Sequence, residues 1–315
     1  MVKKNLSPNY DIMQSFSLKN IPDLDTCVLG ALELFSKEKL QSIIVPYEKP
    51  LVVGSGNAEA TGRIIFENRD AIFASESNFE EKLKNIKSID GVVLISASGA
   101  KHAPIIAKIS KNYKKHVTLI TNEKTAPAEK FLDKKHPYDE YVFPKQREPY
   151  TYNTSTYIGM ILGKTNESPR KILNYIQNNT NKIKLPNFKK YDKYYIIVPT
   201  KFSGIVRMLQ VKFIELFGRV VARDVETLEY VKHATTLVPS KELFISFGEK
   251  NKTYGKNRLN IPLPKGADYA TMMAVSYFII GKIQKAKKPY FKENIVRYTQ
   301  DISKIFKSEI KPIVE

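Results

Sequence analysis

Cysteine is almost absent from this chain: Cys27 is the only one in 315 residues. That excludes an internal disulfide framework and a cysteine-based zinc site. Set among Leu24, Val28 and Leu29 in an amphipathic pattern, Cys27 reads as a buried structural thiol rather than a nucleophile. No apolar run approaches the ~18 residues needed to span a bilayer, and Met1-Val2-Lys3-Lys4-Asn5 leads into polar residues where a secretory signal would be apolar. The expectation is a soluble, cytoplasmic protein. The phosphate signatures of nucleotide enzymes are missing too. No Gly-Lys-Ser/Thr follows a glycine-bearing loop and no complete Gly-x-Gly-x-x-Gly occurs, so no nucleotide cofactor is expected. Acidic residues are scarce, 32 against 51 basic ones, and the net charge of +19 favours anionic partners. Yet there is no helix-turn-helix, zinc-finger or ribonucleoprotein signature. Lysines such as Lys111, Lys114, Lys134, Lys189, Lys285 and Lys288 are scattered rather than blocked. They read as a solvated coat, and neither nucleic acid nor membrane is expected as a partner.

What the chain does have is a pair of strand-to-loop-to-helix units, Val52-Val53-Gly54-Ser55-Gly56-Asn57-Ala58 and Val92-Val93-Leu94-Ile95-Ser96-Ala97-Ser98-Gly99. Each apolar run ends in small and hydroxyl-bearing residues where a helix begins, which is how a parallel sheet presents backbone N–H groups to a phosphate. In the second loop Ser96 and Ser98 bring two hydroxyls, and Gly99 permits a turn with positive φ. The helix that follows adds the positive end of its dipole. One such loop is an ordinary strand terminus; two at this spacing describe a seat for a small phosphorylated ligand.

Around these loops the pattern predicts residues 10 to 45 as helical, then strands at 51–54, 71–74, 91–96 and 116–121 alternating with helices at 57–67, 78–86 and 103–113, and a helix near 152–163. After a break at Asn178 to Asn187 the alternation restarts: strand 194–198, helix 203–217, strand 219–222, a helix near 224–231, strands 242–247 and 259–262, and a helix from Tyr269 to Gln284. A last helix spans about 290–306. Such βαβα alternation implies parallel sheets with helices on both faces, in two doubly wound halves that look like a duplication. The expected domains are a helical segment 1–45, a first α/β subdomain 46–180, a second 190–289, and a C-terminal helix and tail 290–315. The tail ends in Ile313-Val314-Glu315, apolar enough to dock on the body of the protein.

In the second half Lys212 and Glu215 lie three apart on one helix face; alone, they would read as a surface ion pair. His233 follows in Tyr230-Val231-Lys232-His233-Ala234-Thr235. Of the other histidines, His102 follows the serine loop, while His116 and His136 sit among lysines and read as solvated; His233 is the one expected to have a carboxylate partner in an active-site context. A sugar phosphate that passes between aldose and ketose needs a group to open the ring, a base to move a proton between C1 and C2, and an anchor for the phosphate. Histidine suits the first, glutamate the second, and a lysine steadies developing oxyanion charge.

At this point the chain resembles the double sugar isomerase (SIS) domain family, being similar to the isomerase half of glucosamine-6-phosphate synthase and to archaeal phosphoglucose/phosphomannose isomerases, over roughly residues 45 to 315. Gly54-Ser55-Gly56-Asn57 with Arg63 and Phe66-Glu67 resembles the first sugar-binding loop and its helix. Ser96-Ala97-Ser98-Gly99 resembles the Ser-x-Ser-Gly phosphate loop, and Thr154-Ser155-Thr156 the Ala-Ser-Thr element. Lys212-Phe213-Ile214-Glu215 resembles Lys-x-x-Glu, Lys232-His233-Ala234 resembles Lys-His-Gly, and the tail from Lys311 resembles the C-terminal Lys-Ser-x-x-Val-Glu.

The resemblance implies two flavodoxin-like SIS subdomains and a metal-independent, cofactor-free isomerase acting on a hexose 6-phosphate or amino-sugar 6-phosphate through an enediol. Glu215 would be the isomerisation base, His233 the ring opener, and Lys311 and Lys212 would steady charge. Gly54, Ser55, Gly56, Ser96, Ser98, Gly99, Lys101, Ser155 and Thr156 would hold sugar and phosphate, in a homodimer with sites at the subunit interface. Three departures stand out. Lys101 replaces the usual third phosphate contact, a threonine. The glutamate before the Ala-Ser-Thr element is replaced by Tyr150 or displaced to Glu148, and Ala234-Thr235 replaces Gly-Pro. No glutaminase domain or N-terminal cysteine nucleophile accompanies the motifs, so glutamine-dependent amination is not expected. An amino-sugar-phosphate deaminase or fructosamine-phosphate deglycase is the second enzyme reading, and a non-catalytic sugar-phosphate sensor the third.

Overall fold

A computed structural model describes residues 8–133, 140–234, 236 and 241–315. The chain divides into two compact units, one of residues 39–145 with 156–166, the other of residues up to 38, 146–155 and 167–315.

Two helices, α1 (Pro8–Ser15) and α2 (Leu24–Phe35), come first and belong to the second of these units. The helix expected through residues 10–45 is therefore interrupted and shorter. Pro22 biases its predecessor to extended backbone and separates α1 from α2. Residues 36–49 are irregular. Within their own unit the Ile43 amide donates to Gly163 O at 2.9 Å, and the Ile44 carbonyl accepts from the Tyr141 hydroxyl, so this backbone finds partners outside a helix.

The first sheet holds β1 (Pro50–Gly54), β2 (Ile72–Ser75), β3 (Gly91–Ile95), β4 (His116–Thr121) and β5 (Glu140–Val142), all parallel in the order β2-β1-β3-β4-β5. β1 and β3 are buried at every residue, which is why they read as unbroken apolar runs. The crossovers carry α3 (Asn57–Ile65), α4 (Phe79–Asn85) and α5 (Ala103–Asn112). Leu51, Val53, Val92, Leu94, Ile106, Val117 and Leu119 form the core beneath them. In this order the chain reverses direction between β1 and β3, and the loops after those two strands flank the crevice where doubly wound sheets bind ligands.

The other unit contains β6 (Glu148–Pro149), the start of α6 (Thr154–Thr165), α7 (Pro169–Asn178) and a second parallel sheet of β7 (Lys193–Val198), β8 (Ala222–Thr227), β9 (Glu242–Phe247) and β10 (Asn257–Ile261), in the order β10-β9-β7-β8. Read from its first strand, this order repeats that of the first four strands of the other sheet, as a duplicated α/β unit would. α8 (Val206–Phe217) and α9 (Leu228–Ala234) form its crossovers, and α10 (Tyr269–Ala286) and α11 (Tyr290–Phe306) follow. The expected strand 219–222 and helix near 224–231 both lie further along. Gly218, at φ 55°, ends α8, and β8 is an edge strand whose Arg223, Asp224 and Glu226 give it no apolar run to read. The tail forms β11 (Ile313–Val314), antiparallel to β6, so the apolar C-terminus docks as its composition implies. No described helix is long and apolar enough to cross a membrane.

Glu167 caps α10 from about a hundred residues away. Its carboxylate accepts the Ala270 amide at 2.8 Å and the Thr271 hydroxyl at 2.5 Å, against the positive end of a largely buried helix. Glu167→Ala is expected to lower folding stability by about 1–2 kcal/mol, measured as a shift of the urea midpoint at unchanged slope; an unshifted midpoint would contradict the capping role.

Candidate functional site

In the unit of the first sheet, the loop after β1 makes its turn at Gly56, with φ 57°. Gly54 lets the strand end pass close to α3, since a Cβ there would sit 2.5 Å from Glu59 N. The loop after β3 is more tightly tied. Ala97 O accepts from Asn122 N at 3.0 Å and Thr121 Oγ1 at 3.1 Å, Gly99 O accepts from Ala128 N at 3.1 Å, and Ser98 Oγ accepts from Ala100 N at 3.3 Å. Gly99 is required twice over: its φ is 58°, and a Cβ would come within 2.3 Å of Ala126 Cβ. The loop is therefore pre-set ahead of α5. Ser55 and Ser98 are exposed and Ser96 half-buried. Lys101 also has positive φ, 54°, and partial burial lowers the pKa of its ammonium.

In the other unit, Lys212 and Glu215 are not a surface pair. Lys212 is 0 % exposed, and its Nζ donates to Glu215 Oε2 at 2.7 Å, to Thr151 O at 2.6 Å and to Tyr152 O at 2.8 Å, with the Tyr277 ring centroid 5.5 Å away. An ammonium has three donors, and all three are met. Lys212 thus fixes the base candidate to a loop with unusual backbone: Thr151 has φ 75° and Asn153 φ 45°. For a β-branched residue that is a strained conformation. The loop is gripped on both sides. Glu148 accepts from Thr154 N at 2.6 Å and Ser155 N at 2.7 Å at the start of α6, and Tyr150 N donates to Pro312 O at 2.8 Å beside β11.

Glu215 is 18 % exposed and forms part of the wall of a cavity of about 490 Å³ between α8 and α11, together with Ile214, Phe291, Asn294, Arg297 and Tyr298. Burial raises its carboxyl pKa above 4.5, with Lys212 pulling the other way. Tyr150 and Tyr298 stand with their rings 6.1 Å apart. Burial first, then Tyr298 and the Glu215 charge, push the Tyr150 phenol up to about 12, and burial followed by the Glu215 charge raises that of Tyr298. Two protonated phenols beside a carboxyl of raised pKa make a site that can hold a proton on Glu215 and donate hydrogen bonds next to it.

The remaining sequence candidates fall as follows. Ser155 is fully buried, its Oγ accepting from Gln146 N at 3.1 Å, and Thr156 is buried on α6. Lys311 is exposed, one residue before the Tyr150 partner Pro312. His233 is exposed in the last turn of α9; among the described residues the ion pair of that turn belongs to its neighbour, Lys232 to Glu229 at 2.6 Å, and none joins His233 to Glu215. The expected carboxylate partner of His233 is therefore not found there. Ala234 ends α9, its side chain lying outside the description, and Thr235 and His136 lie outside the described residues. His116 corrects its reading as solvated: it opens β4, and its Nδ1 lies 2.5 Å from the Tyr47 hydroxyl. Cys27 is buried, with Gln146 Nε2 3.4 Å from its Sγ. Asn294, Arg297 and Tyr298 went unread. Their signal is the polar stripe Asn294-Arg297-Tyr298-Asp301 at helical spacing, flanking the buried Phe291, Ile295 and Thr299 of α11.

No protein-family model matches the sequence, and no curated protein matches it. Solved structures do. A glucosamine-6-phosphate deaminase from Thermotoga maritima aligns with TM-score 0.60 at 17 % identity over 84 % of this chain and 92 % of that one. A tagatose-6-phosphate ketose/aldose isomerase from Escherichia coli aligns with TM-score 0.57 at 10 % identity over 85 % and 89 %. The C-terminal domain of a glucosamine-fructose-6-phosphate aminotransferase from Francisella tularensis aligns with TM-score 0.50 at 10 % identity over 85 % and 97 %. The chain has the fold of phosphosugar isomerases and their SIS-domain relatives.

Two consequences are measurable. Lys212→Met leaves a carboxylate and two loop carbonyls without their cation, and is expected to cost about 3–5 kcal/mol of stability by urea unfolding; a loss under about 1 kcal/mol would contradict the clamp. For Glu215 the folded pKa lies above 4.5, so the folded state favours the protonated acid. Its contribution is fully present below 4.5 and is lost as pH rises through the folded pKa. The stability of wild type relative to Glu215→Gln is therefore expected to fall with pH above 4.5 and to be flat below it; a difference that rises with pH would reverse the assignment.

Proposed function

We propose that this protein is a phosphosugar isomerase that interconverts the aldose and ketose forms of a hexose 6-phosphate through an enediol. The observation that carries the reading is Glu215: a carboxyl of raised pKa, in the wall of a cavity, held in one position by a buried lysine. A base that must take a proton from one carbon and return it to the next needs both properties, a basicity nearer neutrality and a fixed place.

In this reading Glu215 removes the proton from C2 of the open-chain aldose and delivers it to C1, while charge develops on the oxygens of the enediol. Tyr298 and Tyr150 lie beside the carboxyl and give hydrogen-bond donors where charge develops. Lys212 positions the base and makes no contact with substrate. The loops after β1 and β3, with Ser55, Ser96, Ser98 and Lys101, seat the phosphate. Their place at the strand-order reversal of the first sheet supports this. His233 opens the ring and Lys311 steadies charge; both are exposed, which suits a homodimer whose sites draw on two subunits.

Proton NMR of the purified protein with fructose 6-phosphate in D2O, with and without ammonia, tests the reading. Deuterium is expected to enter C1 or C2 with wild type and to slow by about 10²–10⁴-fold in Glu215→Gln, and the product names the reaction, an amino sugar marking the deaminase direction. Ser96→Ala with Ser98→Ala is expected to raise KM with little change in kcat, the pattern of a lost anchor. Binding of the ligand with no exchange would leave a sensor in place of an enzyme.

A further inference from the structure

The net charge of +19 is far more than one phosphorylated ligand balances, and the second sheet collects part of it in one place. Its strands β7, β8, β9 and β10 are all parallel, so they begin at the same end. Each begins at a cation. Lys193 is the first residue of β7, Lys241 and Lys256 directly precede β9 and β10, and Arg219 lies three residues before β8. In the order β10-β9-β7-β8 they form the row Lys256, Lys241, Lys193, Arg219. Successive members lie 15 to 26 residues apart in the chain, which is why the sequence alone reads them as part of a scattered coat. Lys189 and Lys190, on the turn that leads into β7, extend the row. All six residues are exposed, and none forms an ion pair among the described residues.

Folding does not account for this row. Like charges on neighbouring strands about 4.8 Å apart repel one another. Asp192, Asp224 and Glu242 are set among the six cations and leave a surplus of three positive charges. We propose that this edge of the second sheet binds the phosphate backbone of a nucleic acid duplex. Across four strands the row spans about 14 Å, a length over which a duplex presents about eight phosphates, so each cation finds one. The strand ends that carry the charges are already held by the sheet, and only the side chains have to be ordered on binding. A protein partner calls for an apolar anchor at the centre of its patch, whereas the two central strands enter through Asp192-Lys193 and Lys241-Glu242. Contacts to phosphate position a protein without reading bases, so the binding is independent of base sequence. None of these residues belongs to the isomerase reading, and the assignment does not depend on it.

Fluorescence anisotropy of a labelled DNA duplex of about 20 base pairs with the full chain, between about 50 and 200 mM salt, tests the proposal. Phosphate contacts by the four cations of the row give a slope of log K against log salt of about −3.6. Lys193→Gln with Lys241→Gln and Lys256→Gln is expected to flatten the slope by about 2.7, and Lys256→Gln alone by about 0.9. The single substitution, at an exposed residue, carries the test if the triple variant does not fold. Lys108→Gln with Lys111→Gln and Lys124→Gln, which removes equal charge from exposed lysines of the other unit, leaves the slope unchanged. Absence of binding by wild type, a slope unchanged in both row variants, or equal flattening in the control each overturns the proposal. So does binding of vesicles of anionic phospholipid with none of the duplex, which would assign the edge to a membrane surface.

Discussion

The buried ammonium of Lys212 is the constraint on which the Glu215 region depends. Taking a lysine fully out of water costs several kcal/mol unless its three donors are met by well-placed acceptors, and Glu215, Thr151 O and Tyr152 O meet them. Each partner is thereby fixed. The carboxyl of Glu215 cannot swing away without stranding the cation, and the loop carbonyls cannot turn outward without doing the same. Strain in the loop follows from this: a threonine with positive φ costs of order 1–3 kcal/mol and persists because Lys212 below, Glu148 at one end and the tail at the other over-determine its path.

Carboxylates set from a distance onto helix starts recur through the unit. Glu33 takes the Tyr10 amide of α1 at 2.8 Å, Glu148 takes the first amides of α6, and Glu167 takes those of α10. In each case a negative charge meets the positive end of a helix and satisfies N–H groups that have no partner within the helix. For Glu33 and Glu167 local sequence does not announce the cap, because the acid lies 23 and 103 residues from the amide it takes. Their effect is to set where each helix begins relative to segments distant in the chain, which is what a site assembled from α8, α11 and the 150–153 loop requires.

This separates what could be read from the sequence from what could not. Strands buried between helices are apolar along most of their length, so β1, β3, β7 and β9 stand out, and with them the loops that end them. Edge strands carry charge to discourage further pairing, so β8 was misplaced, and α9 with it. Lys212 and Glu215 were legible as residues three apart on a helix, but their burial was not, since it depends on segments 60 residues away. His233 shows the converse. Its residue type suited the chemistry, yet in the structure it lies on the exposed end of a seven-residue helix. Spacing establishes which residues share a face; only packing decides what that face meets.

The same packing joins the helical layer to the base. Leu24 N donates to Gln284 Oε1, Gln284 Nε2 lies 2.9 Å from the Tyr152 hydroxyl, and the Tyr152 carbonyl accepts from Lys212, which holds Glu215. Gln284, Tyr152 and Lys212 in this series are buried, so their donors and acceptors depend on one another, and only Glu215 at its end meets the cavity. Displacing α2 along α10 would therefore break hydrogen bonds at Gln284 before disturbing the strained loop, and the loop would resist until Lys212 lost its acceptors. The rigidity that the proposed role of Glu215 requires is supplied here by linked polar contacts inside an otherwise apolar helix packing, an arrangement in which every member must be satisfied for any one to hold its place.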